Sequence, residues 1–154
     1  MSERIQTIKT YTQIGFDRLS EATQKLKPEQ LDWRSCTEAN TVRWILTHLS
    51  EELHVYIPQF VPDVAPPKNW PKDYVGNSSY SLEKIMADID KGKNNLMKGL
   101  DKLAPAKLDE EVDMWGTKQK RDYAIMMMIS EVLHHEGQIA AILGLENRMK
   151  GKKK

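Results

Sequence analysis

Four histidines and a single cysteine are the metal-binding side chains to consider first in this chain of 154 residues. One cysteine forms neither an internal disulfide nor a cysteine-rich zinc site, so a metal site would have to be built from imidazoles and carboxylates. His48 is followed one helical turn later by Glu52, and His135 is preceded one turn earlier by Glu131. Side chains four residues apart lie next to each other on a helix, so each pair can present an imidazole beside a carboxylate.

The apolar pattern around both pairs places them at the edge of a helix face that points inward. His48 and Glu52 border a stripe of leucines and isoleucines, and Glu131 and His135 flank a second stripe. Imidazoles and a carboxylate that converge inside a helical bundle suit Zn, Ni or Fe, and three protein ligands leave positions free for water or substrate. The same spacing fits two structural histidines that are paired with their glutamates, and the residues alone leave both interpretations open.

The other two histidines fall on different faces of the same helices. His54 lies on the polar side of its helix, and His134 lies on the flank opposite to His135. Both are therefore predicted at the surface. His48 and His135 remain as the pair that can share an interior.

Four amphipathic helices carry these residues. They are predicted over about residues 2–26, 42–57, 81–103 and 120–145. Pro28 and Pro105 close the first and third helices, and Asn40 or Thr41 caps the second. No strand pattern competes, so the sequence predicts an all-α fold, a four-helix bundle. We expect one domain over residues 1–148 and a basic flexible tail over residues 149–154.

The connection between the second and third helices is unusual. Residues 58–80 contain five of the seven prolines, and the segment is longer than the roughly 2–8 residues that usually join bundle helices. Such loops are normally functional or disordered, and Trp70 and Tyr74 favour order. Together with Trp44 they could line or cover a pocket, although packing is the more frequent role of such aromatics.

Charge and hydropathy exclude several classes of protein. The chain has 23 basic and 22 acidic residues, which argues against a nucleic-acid binder with its basic stripe. The first residues carry no apolar run typical of a signal peptide, and no stretch approaches the roughly 18 apolar residues of a membrane span. We therefore expect a cytoplasmic protein with neither nucleic acid nor membrane as partner.

Three motifs resemble the DinB/YfiT-like superfamily. They are residues 31–34 (LDWR), 40–49 (NTVRWILTHL) and 135–139 (HEGQI). The resemblance covers most of the chain and implies an up-down-down-up order of the four helices and a homodimer. It also implies a metal bound by one residue of the second helix and two residues, four apart, of the fourth. These positions correspond to His48, Glu131 and His135.

The chain departs from the commonest pattern of that superfamily in two places. Glu131 stands where a histidine is usual, which resembles the His, Glu, His set of the mycothiol-dependent maleylpyruvate isomerase branch. Glu136 stands where an arginine usually precedes Gly-Gln. Gln138, the glutamine of that motif, is predicted to be structural or to support the ligands from behind.

The resemblance implies a metal-dependent enzyme acting on a small-molecule substrate: a thiol-dependent transferase or isomerase, or a hydrolase. Its cofactors would be a divalent metal, Zn or Ni, and for the transferase a low-molecular-weight thiol. Glu52 is the candidate catalytic residue, because it could orient a ligand or accept a proton. The alternative is a non-catalytic dimeric metal- or ligand-binding bundle, in which Glu52 would close a structural site.

Overall fold

The computed structural model describes residues 2–151, and most of them are helical. The helices are α1 (Glu3–Thr23), α2 (Val42–Glu51), α3 (Ile57–Phe60), α4 (Leu82–Lys102) and α5 (Arg121–Gly151). A π-helical turn (Glu52–Tyr56) joins α2 to α3, and short 3₁₀ turns lie at Pro28–Gln30 and Pro105–Asp109. The four predicted helices are α1, the continuous stretch from α2 to α3, α4 and α5. None of the helices within residues 2–151 is both long and apolar enough to cross a membrane.

The helix ends follow from local chemistry. The Thr41 hydroxyl accepts a hydrogen bond from the backbone N–H of Trp44 and caps α2, and Ser81 caps α4 in the same way through Lys84. Helix α1 ends at Thr23, earlier than predicted. Lys27 is extended because it precedes Pro28, so the chain must leave the helix before that point.

The second predicted helix continues past Pro58 to Phe60. A proline inside an α-helix lacks one N–H donor and crowds the carbonyl four residues earlier. The π-helical turn ends at Tyr56, two residues before Pro58, and its wider turn gives the proline ring its space. The helix therefore changes from α-helical to π-helical hydrogen bonding at Glu52–Tyr56 and continues instead of ending.

A two-stranded antiparallel hairpin interrupts the helical order before α5, so the all-α prediction is wrong at this point. Strand β1 (Glu111–Met114) pairs with β2 (Thr117–Lys120) in a register that sets Met114 opposite Thr117. Trp115 and Gly116 form the turn with φ of 54° and 86°, as a two-residue hairpin turn requires. The strands are short and mostly polar, so their alternation is too weak to stand out in the sequence.

Helix α5 runs through Gly151, beyond its predicted end. Lys150, in the part of the chain expected to form a flexible tail, lies in this helix and pairs with the buried Glu146 four residues earlier. The remaining tail residues, 152–154, lie outside the described residues.

Helix α1 packs along α5, and α2 packs against both α4 and α5. The core between them consists of fully buried aliphatic side chains from all four long elements, among them Leu19, Ile45, Leu46, Leu49, Ile85, Leu96, Leu100, Ile125 and Ile139. Helix α4 approaches the π-helical turn so closely that a Cβ on Gly92 would lie 2.6 Å from Cβ of Leu53. Glycine at this position is what allows the two backbones to meet.

Arg43 joins the start of α2 to the two long connections on either side of it. Its guanidinium donates to both carboxylate oxygens of Asp32, at 2.6 and 2.8 Å, and to the carbonyl of Tyr80. The arginine is buried, whereas about half of the Asp32 side chain is exposed. Hydrogen bonds from this guanidinium hold the pKa of the Asp32 carboxyl below its usual value.

Replacing Gly92 by alanine should destabilise the fold by about 1–3 kcal/mol, because the new methyl group overlaps Leu53 and the helices must separate. Gly137→Ala is the matched control in α5, where a Cβ meets nothing within 4 Å. That substitution should be neutral or stabilise the helix by up to about 1 kcal/mol. Urea unfolding of both variants measures the difference, and equal stabilities would contradict the close packing of α4.

Asp32→Asn should lower the free energy of unfolding at pH 7 by about 1–2 kcal/mol, a modest value because water screens the half-exposed pair. The pKa of Asp32 is lowered in the folded state, so its contribution is present above the ordinary value and is lost as the pH falls through the lowered one. The difference between wild type and variant should therefore shrink below about pH 4. Denaturant titrations at pH 7 and pH 3 test this, and a difference that does not change with pH would refute it.

Candidate metal centre

Three ionisable side chains from two helical stretches converge at the core edge between α2 and α5. His48 lies in α2, Glu52 is the first residue of the π-helical turn, and His135 lies in the middle of α5. One ligand atom from each lies within 4.8 Å of the other two. Nε2 of His48 is 3.4 Å from Oε1 of Glu52, and Nε2 of His135 is 4.0 Å from Oε2 of Glu52. We refer to His48, Glu52 and His135 as the metal group. Glu52 is its central member.

Two atoms of this group are buried without a hydrogen-bond partner. They are Oε2 of Glu52 and Nε2 of His135, and they face each other. A buried polar atom that forms no hydrogen bond costs free energy, so a facing pair of this kind indicates a place for a bound cation. Two imidazoles and one carboxylate are also a donor set that binds Zn²⁺ with positions left open. The residues thus fit a divalent metal ion.

His48 is held from two sides. Its ring stacks on the indole of Trp44 with 4.9 Å between ring centroids, and it meets the ring of His135 edge-on at 5.2 Å. The neighbouring Glu52 carboxylate raises the pKa of the His48 imidazole, partial burial opposes this, and Glu51 and Glu131 add smaller favourable charges. Three carboxylates thus act on His48, and each of them favours positive charge at this position.

Glu131 lies at the margin of this centre. Its Oε2 is 3.9 Å from Nε2 of His135, and 35% of its side chain is exposed, compared with 9% for Glu52. Glu131 does not belong to the group of closest donors. Its role as a metal ligand, which came from the family resemblance, stays a prediction. Glu52, which the sequence suggested as a catalytic residue that orients a ligand or accepts a proton, is the carboxylate that groups with both histidines.

The prediction that His54 lies at the surface is wrong. His54 is buried, its Nε2 lies 2.8 Å from the backbone carbonyl of Asp88 on α4, and burial lowers its pKa. The π-helical turn contains it, so the regular helical wheel assigns it to the wrong face. His134 is exposed, as predicted.

The proline-rich connection covers His54 with stacked aromatic rings. Trp70 lies 4.5 Å from the imidazole between ring centroids and is followed in the stack by Tyr74 and Tyr80. The Tyr74 hydroxyl donates to Oδ2 of Asp88 at 2.5 Å, and burial raises the pKa of that hydroxyl. Trp70 and Tyr74 therefore pack over His54, while Trp44 is the aromatic residue that contacts a member of the metal group.

The connection also reaches the metal group through Trp44. Gly76 has a φ of 73°, and a Cβ there would lie 3.2 Å from the Trp44 ring. Its N–H donates to the Thr47 hydroxyl of α2 at 2.8 Å. The connection therefore packs closely against the Trp44 indole, on which the ring of His48 is stacked.

A model of the DinB superfamily matches residues 12–139. The chain belongs to the DinB superfamily. This DinB chain is also similar in structure to a conserved protein from Enterococcus faecalis, known from its crystal structure. The two superpose with a TM-score of 0.70 over 92% of this chain and 96% of that one, at 13% sequence identity. Such low identity establishes a common fold and nothing more specific. No curated protein matches this DinB chain.

Proposed function

We propose that this DinB-superfamily protein binds a divalent metal ion through His48, Glu52 and His135 and uses it on a small-molecule substrate. The observation that supports the proposal is the pair of facing, unpartnered atoms in the core, Oε2 of Glu52 and Nε2 of His135. Imidazole nitrogens favour Zn or Ni over the harder cations. Glu131 stands close enough to His135 to be included as a further candidate ligand.

The reaction we propose is a thiol-dependent transfer or isomerisation. Metal-dependent hydrolysis of a small molecule is the alternative reaction at the same site. A metal with open positions would lower the pKa of a coordinated thiol or water. The resulting thiolate or hydroxide is a nucleophile at neutral pH. The protein's part is to hold and orient. Trp44 restrains the ring of His48, and the buried carboxylate of Glu52 would balance the positive charge of a bound cation.

The second candidate function is a non-catalytic dimeric module that binds a metal or another ligand. It is favoured by exposed apolar side chains on the outer faces of α1 and α5, namely Ile14, Tyr123 and Met127. We propose that these exposed side chains lie at the contact of a homodimer. A homodimer is compatible with either function. The up-down-down-up helix order and a cytoplasmic location belong to the same proposal.

Glu52→Gln and Glu131→Gln form a matched pair that locates the third ligand. Both variants keep the side-chain shape and remove one charge beside a histidine. Loss of Glu52 should weaken Zn²⁺ binding by at least about 100-fold, more than an outer-shell change costs, whereas loss of Glu131 should weaken it by less than about 10-fold. Calorimetric titration and elemental analysis of the purified proteins measure both effects.

His135→Ala serves as the negative control and should carry no metal above trace amounts. Equal trace metal in wild type and all three variants would contradict the metal site altogether. The reverse order, with Glu131→Gln the weaker binder, would assign the third ligand to Glu131.

Cobalt substitution separates the transferase from the module. In Co²⁺-loaded protein, addition of a low-molecular-weight thiol such as glutathione or cysteine should introduce a new charge-transfer absorption, because a thiolate would enter an open metal position. His135→Ala should show no such band. If no common thiol changes the spectrum of the loaded wild type, the thiol-dependent reaction is ruled out and the hydrolase and the module remain.

A further inference from the structure

The side-chain amide of Gln138 connects two neighbouring histidines of α5. Its Oε1 lies 3.0 Å from Nδ1 of His135, and its Nε2 lies 3.0 Å from Nε2 of the exposed His134. An amide accepts through its oxygen and donates through its nitrogen. With the amide oxygen at Nδ1 of His135 and the amide nitrogen at Nε2 of His134, His135 would donate from Nδ1 and His134 would accept at Nε2.

The hydrogen bond at Nδ1 determines what the opposite nitrogen of the same ring can do. A neutral imidazole carries one proton, so donation from Nδ1 leaves Nε2 of His135 with a free lone pair. This nitrogen is buried without a hydrogen-bond partner and faces carboxylate oxygens of Glu131 and Glu52 at 3.9 and 4.0 Å. The lone pair is therefore available at the metal centre.

The opposite tautomer would be unfavourable in this surrounding. A proton on Nε2 would find no acceptor within good hydrogen-bond distance, because the two carboxylate oxygens lie 3.9 and 4.0 Å away. Nδ1 would then be an acceptor 3.0 Å from a second acceptor, Oε1 of Gln138. Reversal of the amide would relieve that repulsion only by placing its oxygen against Nε2 of His134, so both histidines would have to change tautomer together.

We infer that Gln138 is a positioning residue, which holds His135 in the tautomer that presents Nε2 to the metal centre. The consequence for metal affinity rests on the function proposed above, whereas the tautomer is a property of the metal-free chain. The position of the glutamine explains its reach, since a residue three places after His135 lies beside the same ring on the helix surface. Glu131 lies on the other side of that ring, four residues earlier.

The test compares wild type with Gln138→Leu and Gln138→Glu. Leucine has a similar size and accepts no hydrogen bond, whereas glutamate keeps an acceptor for Nδ1. Long-range ¹H–¹⁵N correlation spectra of the metal-free proteins at pH 8 distinguish protonated from unprotonated ring nitrogens. Wild type and Gln138→Glu should carry the His135 proton on Nδ1, and Gln138→Leu should lose this preference.

Zinc affinity, measured by competition with a chromophoric chelator, gives the second readout. It should fall about 10–100-fold in Gln138→Leu, as for other partners of metal-binding histidines, and stay within about threefold of wild type in Gln138→Glu. Rescue by glutamate distinguishes a specific hydrogen bond from a general effect on packing, because both variants alter the same half-exposed position. Circular dichroism verifies that both variants are folded.

Three results would overturn the inference. The first is a wild-type protein with the His135 proton on Nε2, and the second is a Gln138→Leu protein with unchanged tautomer and affinity. The third is an equal loss of affinity in both variants. If wild type binds no zinc, the proposed function fails, and the tautomer comparison alone then decides the role of Gln138.

Discussion

The π-helical turn at Glu52–Tyr56 sets the direction of two side chains, Glu52 and His54, and both the candidate metal site and the packing of the proline-rich connection depend on them. Its first residue points toward the two imidazoles, and its third residue, His54, points toward α4 and the proline-rich connection. A regular α-helix would not continue through Pro58 without losing a hydrogen bond and meeting the proline ring. The wider turn makes room for the proline ring, and the helix continues to Phe60.

Close packing on both sides keeps this turn in place. Gly92 brings α4 against Leu53, and the Asp88 carbonyl holds His54. On the other side, α5 brings His135 to the carboxylate of Glu52. The packing on both sides of the turn therefore holds Oε2 of Glu52 opposite Nε2 of His135.

The sequence predicted the features that depend on regular periodicity and missed those that depend on its interruption. His48, Glu52 and His135 lie on the inner edges of amphipathic helices, and the cap of α2 at Thr41 follows from its residue type. His54 could not be placed correctly because a helical wheel assumes one constant angle per residue. The hairpin was missed because its strands are short and polar, and Gly116 is the one residue of its turn whose type favours a positive φ. Which glutamate faces both imidazoles depends on the distance between α2 and α5, and no local pattern contains that distance.

The stacking of Trp70 on His54 links the proline-rich connection to the helical turn that contains Glu52. Glu52 and His54 belong to the same turn of helix, one directed at the metal group and the other at the loop. Gly76 supplies a second link, through Trp44 to His48. An insertion or deletion within residues 61–80 would therefore displace two members of the metal group, Glu52 and His48. The length of this segment is coupled to the chemistry of the centre, although no residue of the segment belongs to the group.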